Sequence, residues 1–296
     1  MQTSMTMFRS FYARLVSAAA GVPEVQERLS SAFESVCRER FVEKGPWKVL
    51  TPIGYIHTPS DDPAFLYQDI VVSIVAESSI NNGQPSLHAT CLANLNPISG
   101  ETVVHVGAGT GYYTAILAEL VGTNGSVFAF EIDRALAEKA ATNLSHLANV
   151  KVQSRSGAEG PLPNCDVLYV SAGATSPLDI WLDALRPGGR LVFPLIPAAG
   201  TGAMLLAARQ PNGSFSARFI SSAMFIPCIG ARDENTARRL TEAFQRGGLD
   251  QVNSLHRNTP TNETCWFSGE GWWLSTSSNS EDELRHAGGY PGLARE

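Results

Sequence analysis

No run of apolar residues in this chain approaches the roughly 20 needed to span a bilayer. No block of Lys and Arg supplies the concentrated positive charge that neutralising a nucleic-acid backbone requires, and the formal net charge is −6. Together these absences exclude a membrane-spanning protein and a nucleic-acid binder, and leave a soluble protein with a peptide or small-molecule partner. Cysteine is scarce as well. Cys37, Cys91, Cys165, Cys228 and Cys265 lie far apart, with no CxxC pair and an odd total of five, so neither a zinc site nor a disulfide framework is encoded. They read as buried, reduced thiols of a cytoplasmic protein. The six histidines are scattered, with no two spaced as ligands on one helix face, and no metal is expected.

What is present is a chain of 296 residues, 44% of them hydrophobic, long enough to bury a full core as one large domain or one domain with an appendage. Met1 to Gly21 carries Arg9 and Arg14 and no acid, a composition shared with transit peptides. Phe8, Phe11, Tyr12, Leu15 and Val16 nevertheless recur at helical spacing and predict an ordinary amphipathic first helix. A second helical pattern covers Glu24 to Phe41, a Pro/Gly-rich segment runs from Gly45 to Pro63, and a β-branched run from Asp69 to Ala76 predicts a strand. The expected divisions are a helical cover over 1–76, a core over 77–230, an α/β extension over 231–276 and a mobile tail over 277–296.

Past residue 100 strand and helix signals alternate. "TVVHVGAG" reads as a buried strand running into glycines, "YYTAILAELVG" as a helix closed by Gly122, and "SVFAFEID" as the next strand. "RALAEKAATNLSHL" is a helix, "VKVQSRSG" and "CDVLYVSAGA" are strands, and "PLDIWLDALRPGGRLVFPLI" is a helix, a turn and a strand. Such alternation predicts an α/β fold, a doubly wound and mostly parallel sheet covered on both faces, with a strand-rich extension from Ala203. Trp266, Trp272 and Trp273 read as core or interface, and "RDENTARR" and "SEDELRH" as solvated faces.

The strongest chemical signal is "VHVGAGTGYY", Val104 to Tyr113. Glycines between a strand and a helix start let a ligand approach the backbone. Glu131, about 20 residues on at the end of the next strand, is placed to take both hydroxyls of a ribose. Gly107, Gly109 and Gly111 form GxGxG, whereas nicotinamide and flavin sites prefer GxGxxG, which Tyr112 breaks. GxGxG with a ribose-binding acid is similar to the S-adenosylmethionine loop of class I methyltransferases. That cofactor carries a sulfonium and no phosphate, so the loop would serve close approach rather than anion binding.

Within that class the chain resembles the protein-L-isoaspartate O-methyltransferases. "RERFVE", "LYQD", "GQPSLHA", "VHVGAGTGYYTAILAELVG", "EID", "VLYVSAGA" and "LRPGGRLVFP" occur in that family's order, over about residues 14–200. The resemblance implies a Rossmann-like methyltransferase fold with an N-terminal helical cover. It also implies transfer of the S-adenosylmethionine methyl to the carboxylate of an isoaspartyl residue in a protein or peptide, with S-adenosylhomocysteine as product. By the same comparison Gly107, Ala108, Gly109, Thr110 and Gly111 would hold the methionine part, Tyr112 and Tyr113 its channel, Glu131 the ribose, and Ile132, Ser156 and Gly157 the adenine.

Three positions depart from the family pattern. His105, counted among the cofactor contacts, stands where an acid usually precedes the glycine loop, so its contact to the methionine amine would differ, and Ser156 replaces the acid at the adenine edge. Gly83 falls where the acceptor loop carries a hydroxyl. The segment "INNGQPSLHA" still offers Asn81, Asn82 and Gln84 as donors to a carboxylate, Ser86 as a substitute hydroxyl and His88 as a base for a hydroxyl or amine acceptor. Tyr67 and Asp69 would wall the pocket. The other readings are a methyltransferase of the same fold acting on a small metabolite or dedicated peptide, and a cofactor-binding adaptor without turnover.

Overall fold

In the computed structural model, which describes residues 2–75 and 80–278, the chain opens on helices α1 (Gln2–Ala19) and α2 (Pro23–Ser35). Tyr12, Ala13 and Val16 of α1 are buried, while Phe8, Phe11 and Leu15 stay exposed. Its apolar stripe is therefore wider than the face it packs. The second helical pattern ends early: Val36 is extended, and Arg38–Phe41 form one 3-10 turn.

The Pro/Gly-rich segment holds a hairpin that its composition did not announce, β1 (Lys48–Thr51) and β2 (Gly54–His57). Among its described residues the β-branched run forms β3 (Ser73–Val75), paired with β4 (Ile80–Asn81); Ala76 lies outside the described residues. Ahead of β3, Asn82 takes both backbone groups of Val72: the Asn82 N–H donates to Val72 O (3.0 Å), and the Val72 N–H donates to Asn82 Oδ1 (3.0 Å).

From there the chain forms α3 (Pro85–Leu95), β5 (Thr102–Val106), α4 (Tyr112–Val121), β6 (Ser126–Glu131), α5 (Arg134–Asn143), β7 (Val150–Ser154) and β8 (Cys165–Val170). It continues through α6 (Asp179–Ala184), β9 (Leu185–Leu195), β10 (Gly202–Arg209), β11 (Phe215–Ala223), α7 (Glu234–Arg246), β12 (Ser254–Arg257), β13 (Cys265–Gly269) and β14 (Trp272–Ser275). The turn expected in "LRPGGR" is an excursion within β9, where pairing with β8 jumps from Cys165↔Leu185 to Val167↔Arg190.

One sheet runs in the order β13-β14-β12-β11-β10-β9-β8-β5-β6-β7. Its β7-β6-β5-β8-β9 part is parallel, and from β9 outward it is antiparallel. The join between β11 and β12 is narrow: its register pairs are Phe215↔Leu255 and Ser216↔Ser254, whereas β10 and β11 run together from Gly202↔Ala223 to Arg209↔Phe215.

Strand alternation divides the core between two layers. Val103, Val167 and Tyr169 face the layer of α1 to α5, and Val104, Val106, Leu168 and Val170 face that of α6 and α7. Trp266 and Trp272 belong to this second layer, with Phe267 and Leu274. All five cysteines are free. No helix among the described residues is long and apolar enough to cross a membrane. The run "SEDELRH" and the tail from residue 279 lie outside the described residues.

Candidate active site

Strand order turns back between β5 and β8, the place where an open α/β sheet leaves a crevice beyond its strand ends. The Ser171 N–H, just past β8, donates to Val106 O at the end of β5 (2.8 Å). Above this edge lies a cavity of about 830 Å³, within the size range of small-molecule sites.

One wall is the glycine loop. Gly107, Gly109 and Gly111 have φ of +78°, +56° and +97°, values that a β-carbon makes costly. The turn is drawn onto the neighbouring strand: the Gly107 and Ala108 N–H groups donate to Phe130 O (2.9 and 3.2 Å), and the Gly109 N–H donates to Glu131 Oε2 (2.7 Å). Gly107, Ala108, Gly109, Thr110 and Tyr112 line the cavity. Gly111 does not; a β-carbon there would lie 2.7 Å from Leu144 Cδ1, so its task is to let α4 pack against the end of α5.

Glu131, Ile132, Ser156 and Gly157 line the same wall. The Glu131 carboxylate is 7% exposed and also accepts the Asp133 N–H through Oε1 (3.0 Å). Burial pushes its pKa up, and the backbone donors oppose that. Two carboxylate oxygens offer about four acceptor directions, more than these backbone donors use, and two adjacent ribose hydroxyls require such spare acceptors. The Ser156 hydroxyl accepts the Ala158 N–H (3.0 Å).

His105, expected to touch the cofactor, is not in the cavity wall. Its place on β5 points it into the α1–α5 layer, beside its register partner Tyr169. Its ring nitrogens bond Thr114 Oγ1 (2.8 Å) and Ser171 Oγ (3.0 Å), and burial pushes its pKa down to about 3. Ser171, which does line the cavity, stands between it and any ligand.

The facing wall is the 81–88 segment, and most of its polar atoms are committed elsewhere. Asn82 Oδ1 accepts from Val72 N–H and from Arg38 Nη2 (3.2 Å), while its Nδ2 is buried without a partner. Gln84 Nε2 donates to Asp69 Oδ2 (2.8 Å). Ser86, the expected substitute hydroxyl, lies outside the wall, with its N–H on Asp69 Oδ1 (2.8 Å) and its hydroxyl on Asp69 Oδ2 (2.7 Å). Asp69 thus caps the first turn of α3 from a distance instead of walling the pocket. Tyr67 is equally remote, its hydroxyl accepting from Arg9 Nε (2.9 Å) and donating to Glu39. Asn81 Oδ1 accepts the Gly83 N–H (2.9 Å).

His88 does line the cavity. It stacks on Tyr113 at 3.6 Å and 2° between ring planes, and its Nδ1 bonds the Tyr169 hydroxyl (2.7 Å). Burial holds its pKa well below the ordinary histidine value, helped by His105 and Arg38.

Several groups around the site escaped the sequence reading. Arg38 is fully buried and donates to Leu66 O (2.6 Å), Gln68 O (3.0 Å) and Ile70 O (2.6 Å). A charged residue inside "RERFVE" was the available signal. Residues 224–229 roof the cavity after β11, tied down by the Gly173 N–H to Ile226 O (2.7 Å) and the Cys228 N–H to Gly173 O (2.8 Å). Leu50 and Tyr55 reach it from the β1–β2 hairpin. No spacing or motif marked the roof or the hairpin.

Among solved structures, a protein-L-isoaspartate O-methyltransferase superposes with a TM-score of 0.61 at 22% identity, over 83% of this chain and 73% of that one. A Plasmodium falciparum protein assigned the same activity, solved with S-adenosyl-L-homocysteine, gives 0.55 at 18% identity, over 72% of this chain and 98% of that one. The fold is that of a class I S-adenosylmethionine-dependent methyltransferase. The profile of the Protein-L-isoaspartate(D-aspartate) O-methyltransferase family matches residues 19–233, and the chain belongs to that family. Its relatives include the protein-L-isoaspartate O-methyltransferase of Brucella anthropi, 29% identical over 207 residues, 69% of this chain and 86% of that one. The Methanopyrus kandleri enzyme of the same name is 31% identical over 212 residues, 65% of this chain and 91% of that one. Membership makes this chain an S-adenosylmethionine-dependent methyltransferase of protein carboxylates.

Proposed function

We propose that the chain methylates the free carboxylate of isoaspartyl residues in cytoplasmic peptides and proteins. The observation that carries this reading is the pairing of two walls in one cavity: the glycine turn with Glu131 on one side, and the 81–88 segment backed by Arg38 on the other. S-adenosylmethionine, when bound, supplies an electrophilic methyl on a sulfonium. Gly107 to Thr110 and Tyr112 would hold its methionine part, Glu131 its ribose, and Ile132, Ser156 and Gly157 its adenine. A carboxylate is already a nucleophile, so this chain's remaining tasks are alignment and exclusion of water. Leu87, Tyr113 and Phe225 supply the dry surround.

A second reading, a dedicated peptide whose acceptor has apolar neighbours, is favoured by the exposed side chains at the cavity mouth. Leu50 and Tyr55 of the hairpin, Ile132, and Met224 and Ile229 of the roof all present apolar surface there. Labelled S-adenosylmethionine with an isoaspartyl peptide, its aspartyl isomer and apolar-flanked versions of both separates the readings. Base-labile methyl groups on the isoaspartyl peptides alone support the first. Labelling that follows the flanking residues whatever the linkage supports the second.

A further inference from the structure

We infer that the Nε2–H of His88 is the donor that receives the acceptor carboxylate, working in the space that glycine at position 83 leaves open. The inference rests on the methyl-transfer reading above. Its starting point is steric. A β-carbon on Gly83 would lie 2.1 Å from His88 Nε2, 2.8 Å from Cδ2 and 3.2 Å from Cε1. The imidazole therefore enters, Nε2 foremost, the volume in which a side chain at 83 would begin. Gly83 and His88 both line the cavity, with this ring edge against Gly83.

The ring is held in that attitude from three sides. Tyr113 covers one face at 3.6 Å, and Phe225 meets it at 6.0 Å and 64°. The Tyr169 hydroxyl at Nδ1 fixes its rotation. Tyr169 is itself buried on β8, beside Cys91 and Ser171, and burial raises its pKa. We take the tautomer in which this phenol donates to Nδ1 and the imidazole carries its proton on Nε2. No described residue hydrogen-bonds Nε2, whereas Gln84 and Ser86 are held by Asp69, and Asn82 Oδ1 by Val72 and Arg38.

The charge of the surroundings selects the same ligand. Among the described residues Arg38 has no carboxylate within ion-pair distance, and its buried guanidinium bonds carbonyl oxygens and the Asn82 side chain. Arg38, whose charge adds to burial in disfavouring a positive imidazole at His88, attracts an anion placed there. A neutral N–H facing a region of positive potential suits a carboxylate better than an amine.

The test compares an isoaspartyl peptide with its carboxamide analogue, each titrated calorimetrically into protein loaded with S-adenosylhomocysteine. His88→Phe keeps a ring on Tyr113 and removes the donor. It should weaken carboxylate binding about 10-fold or more, shrink the carboxylate-to-carboxamide preference at least about 5-fold, and leave S-adenosylhomocysteine affinity within about 2-fold. An unchanged preference in a variant that still binds S-adenosylhomocysteine overturns the inference. Should that variant fail to bind it, Tyr169→Phe, which frees the imidazole proton to move to Nδ1, must cut the preference at least about 3-fold, or the inference falls. A wild-type protein that neither binds nor methylates the isoaspartyl peptide overturns the functional reading instead.

Discussion

Gly83 and His88 interlock: one lacks a side chain and the other fills the gap. Gly83→Ser would put a β-carbon onto the imidazole and force a non-glycine residue to φ +67°. Its expected cost is about 2–4 kcal/mol in denaturant unfolding, the sum of backbone strain and overpacking. Adding His88→Ala should recover at least about 1 kcal/mol, because the two positions share one volume; strict additivity would mean they do not. At Glu131 the expected outcome concerns the cofactor. Glu131→Ala should weaken S-adenosylmethionine binding by about 1.5–3 kcal/mol, the range for hydrogen bonds to a charged group. A calorimetric dissociation constant equal to that of wild type would remove Glu131 from the site.

Among the elements, α3 depends on a residue far from it in sequence. Gln84 at its N-terminus makes no side-chain cap, and Asp69 serves in its place by accepting the Ser86 N–H and hydroxyl and the Gln84 amide. Asp69→Ala should therefore cost about 1–2 kcal/mol, as loss of a helix cap does, and loosen the 81–88 segment. Hydrogen exchange would show faster amides at the start of α3, with β5 and β6 unchanged. The same element marks the limit of what the sequence could tell. The β–α alternation, the glycine turn and Glu131 were legible because period and spacing encode them locally. That Gln84 and Ser86 spend donors on Asp69, and that Asp69 caps α3 instead of walling the pocket, was not, since it depends on which atoms 15 and 17 residues apart come to meet. His105 was misread for a related reason. A place in a motif does not say which way a strand residue faces, and pairing with Tyr169 turned it inward.

At the scale of the whole molecule, two buried imidazoles link stability to pH. Burial holds both His88 and His105 below the ordinary histidine pKa, His105 at about 3. The unfolded chain binds protons below about pH 6.5 and the native one does not, so stability is full above that pH and declines as it falls. At pH 5 His105 should cost about 2 kcal/mol, and His88 adds to the loss in the same direction. Thermal midpoints at pH 7.5 and pH 5 would show the drop, and His105→Gln should make it smaller; a midpoint that does not fall, or a variant with the wild-type slope, would contradict it. The sheet carries a further consequence at its narrow join. Few ladder bonds link β11 to β12, and Phe219, Phe244 and Trp266 bridge the same junction with ring centroids 5.4 to 5.8 Å apart. A joint held by apolar contact more than by hydrogen bonds takes on the temperature dependence of the hydrophobic effect, which weakens on cooling. Cold, rather than heat, is the condition under which the outer strands should begin to part from the catalytic half.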